Sequence, residues 1–452
     1  MEGKWEDVIR IGDPKDEFEK DIVAQAYLMQ GKDLSKNAKL EEDFSKFEQA
    51  FDKFQKAIEI KPGMHGAYII WGTALSDLAS LKKDASIFEQ AFDKFKKAID
   101  IKPNIHQVYY NWGHSLSDLA IIKEDFSLFQ QACDKFKKAV DINPNYPRAY
   151  ANWGDCLGEL ANLKKDTLLY EQAFEKYQKA IDINPNIHEV YNNWGNRLGE
   201  LAELKKDSSL FDQSFEKYQK AIDIKPDKHK TYYNWGNFLC DLAIQKEDFS
   251  IFQQAFDKYQ KAIDINPDSH ETYNNWGYGL YRLAIKEKDA SLYEQAFEKY
   301  QKAIDINPDK HDTYNDWGTA LISLASLKKD VSLFEEAFDK YQKALNIKPD
   351  KHETFSNWGV ALLSLWRITG QEGLLDQAKT YLNRAKKLNP DETYNLACLY
   401  AVAGNYKFCR DELHHCRKLK TLPSKKHLLT DEDLKNIRDL KWFKELIHEM
   451  PD

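Results

Sequence analysis

The side chains in this sequence best suited to nucleophilic or metal chemistry are its 12 histidines and six cysteines. Seven of the histidines (His65, His106, His188, His229, His270, His311 and His352) are spaced by 41 residues or twice that. Equivalent residues on stacked helices lie roughly 8–10 Å apart, whereas a metal–nitrogen bond is about 2 Å, so one ion cannot join two of them. No Ser, Cys or carboxylate recurs at the spacing of a proton relay, and the place of these histidines at the start of a helical segment predicts a packing role. Cys398, Cys409, His414, His415 and Cys416 crowd into one stretch. Cys409 and Cys416 nevertheless take the small-residue core positions of a helix, and zinc is not expected there. There is no glycine-rich phosphate loop. The expectation is a chain that is not an enzyme, with no catalytic residue, no metal, no cofactor and no small-molecule substrate.

The same beat organises the elements. Trp-Gly occurs with Trp at 71, 112, 153, 194, 235, 276, 317 and 358, every interval being 41 residues. An aromatic stands three residues before each Trp and a Leu four after it. Within one unit Tyr191, Trp194, Gly195, Leu198, Leu201 and Ala202 make one helical stripe. Leu210, Phe211, Ser214, Phe215, Tyr218, Ala221 and Ile222 make a second. Asp recurs at 43, 84, 125, 166, 207, 248, 289 and 330, where an N-cap for the second helix is needed. Lys residues just before it suit the negative end of the first helix. Ile-Lys-Pro or Ile-Asn-Pro then separates one unit from the next, so each unit is predicted to be an antiparallel helix pair.

The run Tyr-x-x-Trp-Gly-x-x-Leu, followed by Ala91-x-x-x-Phe95-x-x-Ala98-x-x-x-x-Pro103, is similar to the tetratricopeptide repeat. Ordinary repeats of that family have about 34 residues; the extra residues between the halves predict two longer helices. The resemblance implies an all-α fold, a right-handed α-solenoid of antiparallel helix pairs. The register assigns an N-terminal cap to 1–23, nine 41-residue repeats to 24–390, and a short repeat with capping helices to 391–452. Tyr27, Gly31, Leu34, Ala50 and Phe54 carry the pattern into the first repeat, with Gln30 in the Trp position. The final LLTDEDLKNIRDLKWFKELI resembles the segment that closes some arrays of this family.

A net charge of -8 argues against nucleic acid as a partner, since such binding draws on a surplus of Lys and Arg. No stretch approaches the roughly 20 apolar residues that cross a bilayer, and the opening residues carry no apolar run of the kind a secretory leader has. The cysteines show no framework spacing. These features predict a cytoplasmic protein with no membrane partner.

The resemblance also implies that residues of the first helix off the packing stripe line a concave groove. They stand five and two before each Trp, and two, five and six after it. These rows vary while the packing rows do not. The candidate partner-binding residues are Tyr110, His114, Asp118, Glu159, Asn192, Asn196, Glu200, Tyr233, Asn237, Asp241, Asn274, Tyr278, Arg282 and Asn315. Carboxylates in the row six after Trp (Asp77, Asp118, Glu159, Glu200 and Asp241) predict a protein or peptide segment rich in Lys or Arg, until Arg282 changes the character of the row. Asn192, Asn196 and Glu200 are expected to be separable from the core, so that their joint replacement by Ala leaves the melting point nearly intact. The Asn before each Trp is expected to bond between repeats. The functional expectation is a protein-binding scaffold or adaptor. An assembly chaperone or regulatory subunit holding extended clients is the alternative, and a module of a nucleic-acid-processing complex is disfavoured by the charge.

Overall fold

A computed structural model describes residues 16–450. The expected N-terminal cap and the reading of the opening residues fall largely on 1–15, outside the described residues. Among the described residues all regular structure is helical. Helices pair in sequence: Glu17–Glu41 with Phe44–Ile60, His65–Lys82 with Ala85–Ile101, and onward in the same rhythm to His352–Thr369 with Leu374–Leu388. A shorter pair, Tyr394–Val402 and Tyr406–Leu419, follows. That last pair lacks the extra residues and measures the insertion's effect. Its helices have 9 and 14 residues, against 18 and 17 in a regular unit such as His106–Lys123 and Phe126–Ile142.

The turn inside each pair is built by two adjacent residues. The first helix ends on a left-handed residue, Glu42, Lys83, Glu124, Lys165, Lys206, Glu247, Lys288 or Lys329, with φ between 52° and 56°. Glycine would hold that conformation at no steric cost; among the long units only the ninth uses one, Gly370 at φ 66°, and the short pair turns through Gly404 at φ 77°. The Asp that follows then caps the second helix. Asp84, for example, accepts from the Ser86 amide at 2.9 Å and from the Ser86 hydroxyl at 2.7 Å. These bonds favour the ionised carboxyl and hold the Asp84 pKa below the ordinary carboxylate value.

Packing explains the Trp-Gly pair. A Cβ on Gly154 would lie 2.7 Å from the Tyr177 ring, and one on Gly113 would lie 2.9 Å from Phe136. The two helices of a unit therefore touch where only glycine fits. The Trp beside it points to the preceding unit. Trp194 stacks on Phe174 at 5.9 Å and 22° and meets Tyr177 at 6.0 Å. Lys217, from its own unit, lies 3.7 Å from the centre of the indole. Lys94, Lys135, Lys258, Lys299 and Lys340 cover Trp71, Trp112, Trp235, Trp276 and Trp317 in the same way. In the ninth unit Tyr381 takes the lysine's place, stacked 4.6 Å from Trp358.

The chain divides into two compact units, up to Asp227 and from Lys228. The sequence marks no such boundary within 24–390. In a repeat array each pair touches only its neighbours, and the Trp-Gly pattern runs through position 227 without interruption. In the second unit the closing segment buries Leu428, Leu434, Ile437, Phe443 and Leu446 in a core shared with Cys409 and Leu413. Those residues cover the apolar end of the short repeat.

Candidate functional site

Within each unit the first helices of successive repeats touch one another, while the second helices make no comparable contact. First helices therefore lie on the inner side, and their off-stripe residues can be followed row by row. The row five after Trp is a joint and not an open surface, except at Tyr281, which lines an opening. Ser76 meets Ser115 at 2.6 Å, and Ser117 meets Cys156 at 3.0 Å. In both contacts a residue five after one Trp meets a residue three after the next. Cys240, Ile322 and Leu363 in this row are buried too.

The row two after Trp is largely a clasp. Asp155 accepts from the Tyr177 hydroxyl at 2.7 Å and from the Asn193 amide at 3.0 Å. Asn196 accepts from Tyr218 at 2.6 Å. Asn237 accepts from Tyr259 and from Asn275, both at 2.9 Å. Thr319 meets Tyr341 at 3.2 Å. Each residue ties the second helix of its own repeat, and Asp155 and Asn237 also tie the next repeat. The Asn before Trp thus bonds between repeats as the sequence predicts. Asn111 to Thr73 at 2.9 Å and Asn152 to the Tyr110 hydroxyl at 3.2 Å are further examples. His114, exposed, is the member of this row that turns outward.

The row two before Trp divides. Asn192 and Asn315 are only 7% and 9% exposed, which corrects the expectation that they offer a free surface. Asn192 donates to Asn193 at 3.0 Å, and Asn315 accepts from Asn357 at 3.1 Å. Asn274 donates to Asp316 at 3.4 Å. Tyr110 and Tyr233 remain half-buried, with Tyr110 5.1 Å from Tyr146 and Tyr233 accepting from Asn275 at 3.0 Å.

The acidic row is corrected most. Asp77 pairs with Lys39, and Asp118 with His114 at 3.4 Å. Glu159 and Glu200 both pair with Arg197, whose Nη1 lies 2.8 and 2.9 Å from the two Glu200 oxygens. The Tyr170 hydroxyl donates to Glu200 at 3.0 Å. Asp77, Asp118, Glu159 and Glu200 are thus answered within the chain. The charge expected to select a Lys- or Arg-rich segment is thereby offset in part, by Lys39, by the shared Arg197 and by His114 when it is protonated. Asn192, Asn196 and Glu200 are each bonded into the repeat or its joint, so their joint replacement by Ala is now expected to lower the melting point. Arg197 escaped notice because the row three after Trp otherwise holds Ala74, Ser115, Cys156, Phe238, Gly279, Ala320 and Ala361. The available signal was Gly158: a Cβ there would lie 2.6 Å from Arg197 Cδ and Nε.

In the second unit Tyr278 and Arg282 break the pattern together. Arg282 Nη1 donates to the Tyr278 hydroxyl at 2.8 Å, and Tyr281 lies 6.2 Å from Tyr278. They line an opening of about 580 Å³ with Phe252, Lys286 and Thr319. A second opening of about 330 Å³ shares Tyr278 and reaches Asn237, Asp241 and Asp316. Burial raises the Asp316 pKa to about 6. In the first unit an opening of about 480 Å³ is lined by Tyr110, Arg148, Asn152, Asp155, Glu189 and Asn193.

The recurring histidines open their helices, as in His106–Lys123, and burial lowers the pKa of His65 and His106. His106 packs edge-on to Tyr146 at 4.8 Å. Cys398, Asp431 and Asp433 have donor atoms close enough for a cation. However, Asp431 accepts from Tyr394 at 2.6 Å and Asp433 pairs with Arg367, so the group reads as a structural tie for the closing segment. No described helix is long and apolar enough to cross a membrane.

The family described as plant-specific mitochondrial import receptor subunit TOM20 matches residues 164–278 and again 287–405. Anaphase-promoting complex subunit 5 matches 78–145. No significant match was found among curated proteins. Among solved structures, yeast Tom70 is 16% identical with a TM-score of 0.49, covering 99% of this chain and 98% of its own. YrrB, a tetratricopeptide protein with an unusual peptide-binding site, is 23% identical over 48% of this chain and 95% of its own, with a TM-score of 0.32. MamA is 19% identical over 45% of this chain and 94% of its own, with a TM-score of 0.31. The two stretches matched by the import-receptor family together make up just over half of the chain, which therefore belongs to that family and to the tetratricopeptide-repeat proteins.

Proposed function

We propose that this chain is a non-catalytic binding scaffold that holds an extended segment of a partner protein against its first helices, in the cytoplasm or at a surface facing it. One observation carries the reading. The openings of about 480 and 580 Å³ are lined mainly by first-helix residues, among them Tyr110, Asp155, Tyr278 and Arg282 in rows that change from repeat to repeat, while the Trp, Gly and Leu rows stay fixed. A constant frame with a changing inner lining suits recognition and gives no reacting group to catalysis. Selection of peptides from a random display library on the full chain tests it. Binders should compete with one another and weaken when Tyr110 or Tyr278 is replaced by Ala. Binding indifferent to both changes would overturn the reading.

Membership of a family described as an import receptor subunit favours a more specific version, in which the segment is a mitochondrial targeting sequence. A targeting peptide that competes with the selected binders supports this version; one that leaves them bound removes it and leaves a scaffold or an assembly chaperone for other clients.

A further inference from the structure

Tyr278 occupies the clasp row, two after Trp276. In repeats four, five, six and eight that position accepts or shares the hydroxyl of the buried second-helix tyrosine: Asp155 for Tyr177, Asn196 for Tyr218, Asn237 for Tyr259 and Thr319 for Tyr341. In repeat seven the Tyr278 hydroxyl receives Arg282 instead, at 2.8 Å. The buried Tyr300 hydroxyl is left with no hydrogen-bond partner among the described residues. A buried hydroxyl without a partner costs free energy, so the exchange of a clasp for Tyr278 works against the repeat's own stability.

What the exchange leaves in place is an available guanidinium. Arg282 stands six after Trp276, in the row that carries Asp77, Asp118, Glu159, Glu200 and Asp241 in earlier repeats. Among the described residues it makes no ion pair. Its contacts are the Tyr278 hydroxyl and the Tyr278 ring, 5.7 Å from the guanidinium carbon. Arg197 gives the contrast, held between Glu159 and Glu200 with 12% of its side chain exposed. The Lys286 ammonium, on the same opening, bonds to the Glu247 main-chain carbonyl. Phe252, Ile244 and Ile285 supply apolar wall, and Glu247 puts one carboxylate at the rim.

We propose that this opening takes an Asp or Glu side chain of an extended partner segment. The carboxylate pairs with the open face of Arg282, and the neighbouring partner residue rests on the exposed Ile285 and on Tyr281. The proposal deepens the scaffold reading and rests on it. Arg282 and Lys286 set against the Glu247 carboxylate leave the opening with a surplus of one positive charge, which a singly charged carboxylate balances.

The test uses the full chain and peptides selected on it from a random display library. Asp or Glu should be enriched, and changing that residue to Asn or Gln should weaken binding about tenfold, the scale of a charge-assisted hydrogen bond. Arg282→Gln should weaken the acidic peptides by the same factor and leave their neutral versions unchanged, while Arg282→Lys should retain part of the preference. Unchanged thermal melting of both variants shows that folding is intact. An acidic preference that survives Arg282→Gln, absence of acidic enrichment, or a stronger preference for phosphoserine at the same position overturns the carboxylate proposal and leaves the scaffold reading standing. Failure to select any binder overturns both.

Discussion

Arg197 and Arg282 sit on first helices of the same repeat type and are treated in opposite ways. In the first unit Arg197 lies between Glu159 and Glu200, over a Gly158 whose missing side chain makes the space. In the second unit Arg282 has a phenol for a partner and an opening in front of it. The difference teaches that a charge on the inner face of such an array is not by itself a recognition element. A guanidinium locked by two carboxylates binds one repeat to the next. One that faces an opening and makes no ion pair among the described residues is available to something else.

The comparison is sharpest where the units are expected to agree. Trp194→Ala in the first and Trp276→Ala in the second each remove an indole held between an aromatic ring and a lysine. Each should cost about 3–5 kcal/mol in denaturant unfolding. A cost near zero in either unit would mean that the Trp joint is not what holds it. The arginines should then part company. Arg197→Ala should cost about 2–4 kcal/mol, less than a fully buried pair because Glu159 and Glu200 keep some contact with water, whereas Arg282→Ala should cost at most about 0.5 kcal/mol. Equal costs would erase the distinction.

The position before Trp offers a third contrast, Asn193 in the first unit against Asp316 in the second. Burial lifts Asp316 from 3.8 to about 6. Between those values the folded chain keeps a proton that the unfolded chain has released. Stability should therefore be full below the lower value and fall as pH rises towards the upper, by about 3 kcal/mol at most. Asp316→Asn should remove that slope, seen as a difference from wild type in unfolding at about pH 4.5 and about pH 7.5; parallel curves would refute it. The smallest effect belongs to the left-handed turn residues, at which the units are alike. Lys83→Gly and Lys288→Gly, at φ 52° and 53°, should each stabilise by about 1 kcal/mol or less. Destabilisation would show that the lysine side chain outweighs its backbone strain.

How much of this was legible in the sequence depends on whether a feature repeats. Trp194 and Gly195 recur at one interval, and recurrence exposes packing because every copy meets the same neighbour. The Asp caps and the inter-repeat Asn bonds were readable for the same reason. The left-handed turn was not, since Lys and Glu stand at positions where glycine is the usual sign. The inner surface was readable only in part. Asn192 and Asn196 sit on the inner helix as the periodicity implies, but their burial depends on side chains 22 or more residues away, such as Tyr218. The ion pair of Arg197 with Glu159 needed the crossing of adjacent first helices, because it joins a residue three after one Trp to one six after the Trp before.

The aromatic–indole–lysine joint is nearly the same at most junctions, so as far as it is concerned one repeat can follow any other. Whole units could be duplicated or lost by recombination between near-identical stretches without leaving an unmatched end. The contact between Gly158 and Arg197 is particular. A repeat carrying Arg197 must follow one with no side chain at the facing position, and exchanging its neighbour would drive the arginine into a wall. The generic joint thus permits the array to change in length, while a few private contacts fix the order in which its members can stand.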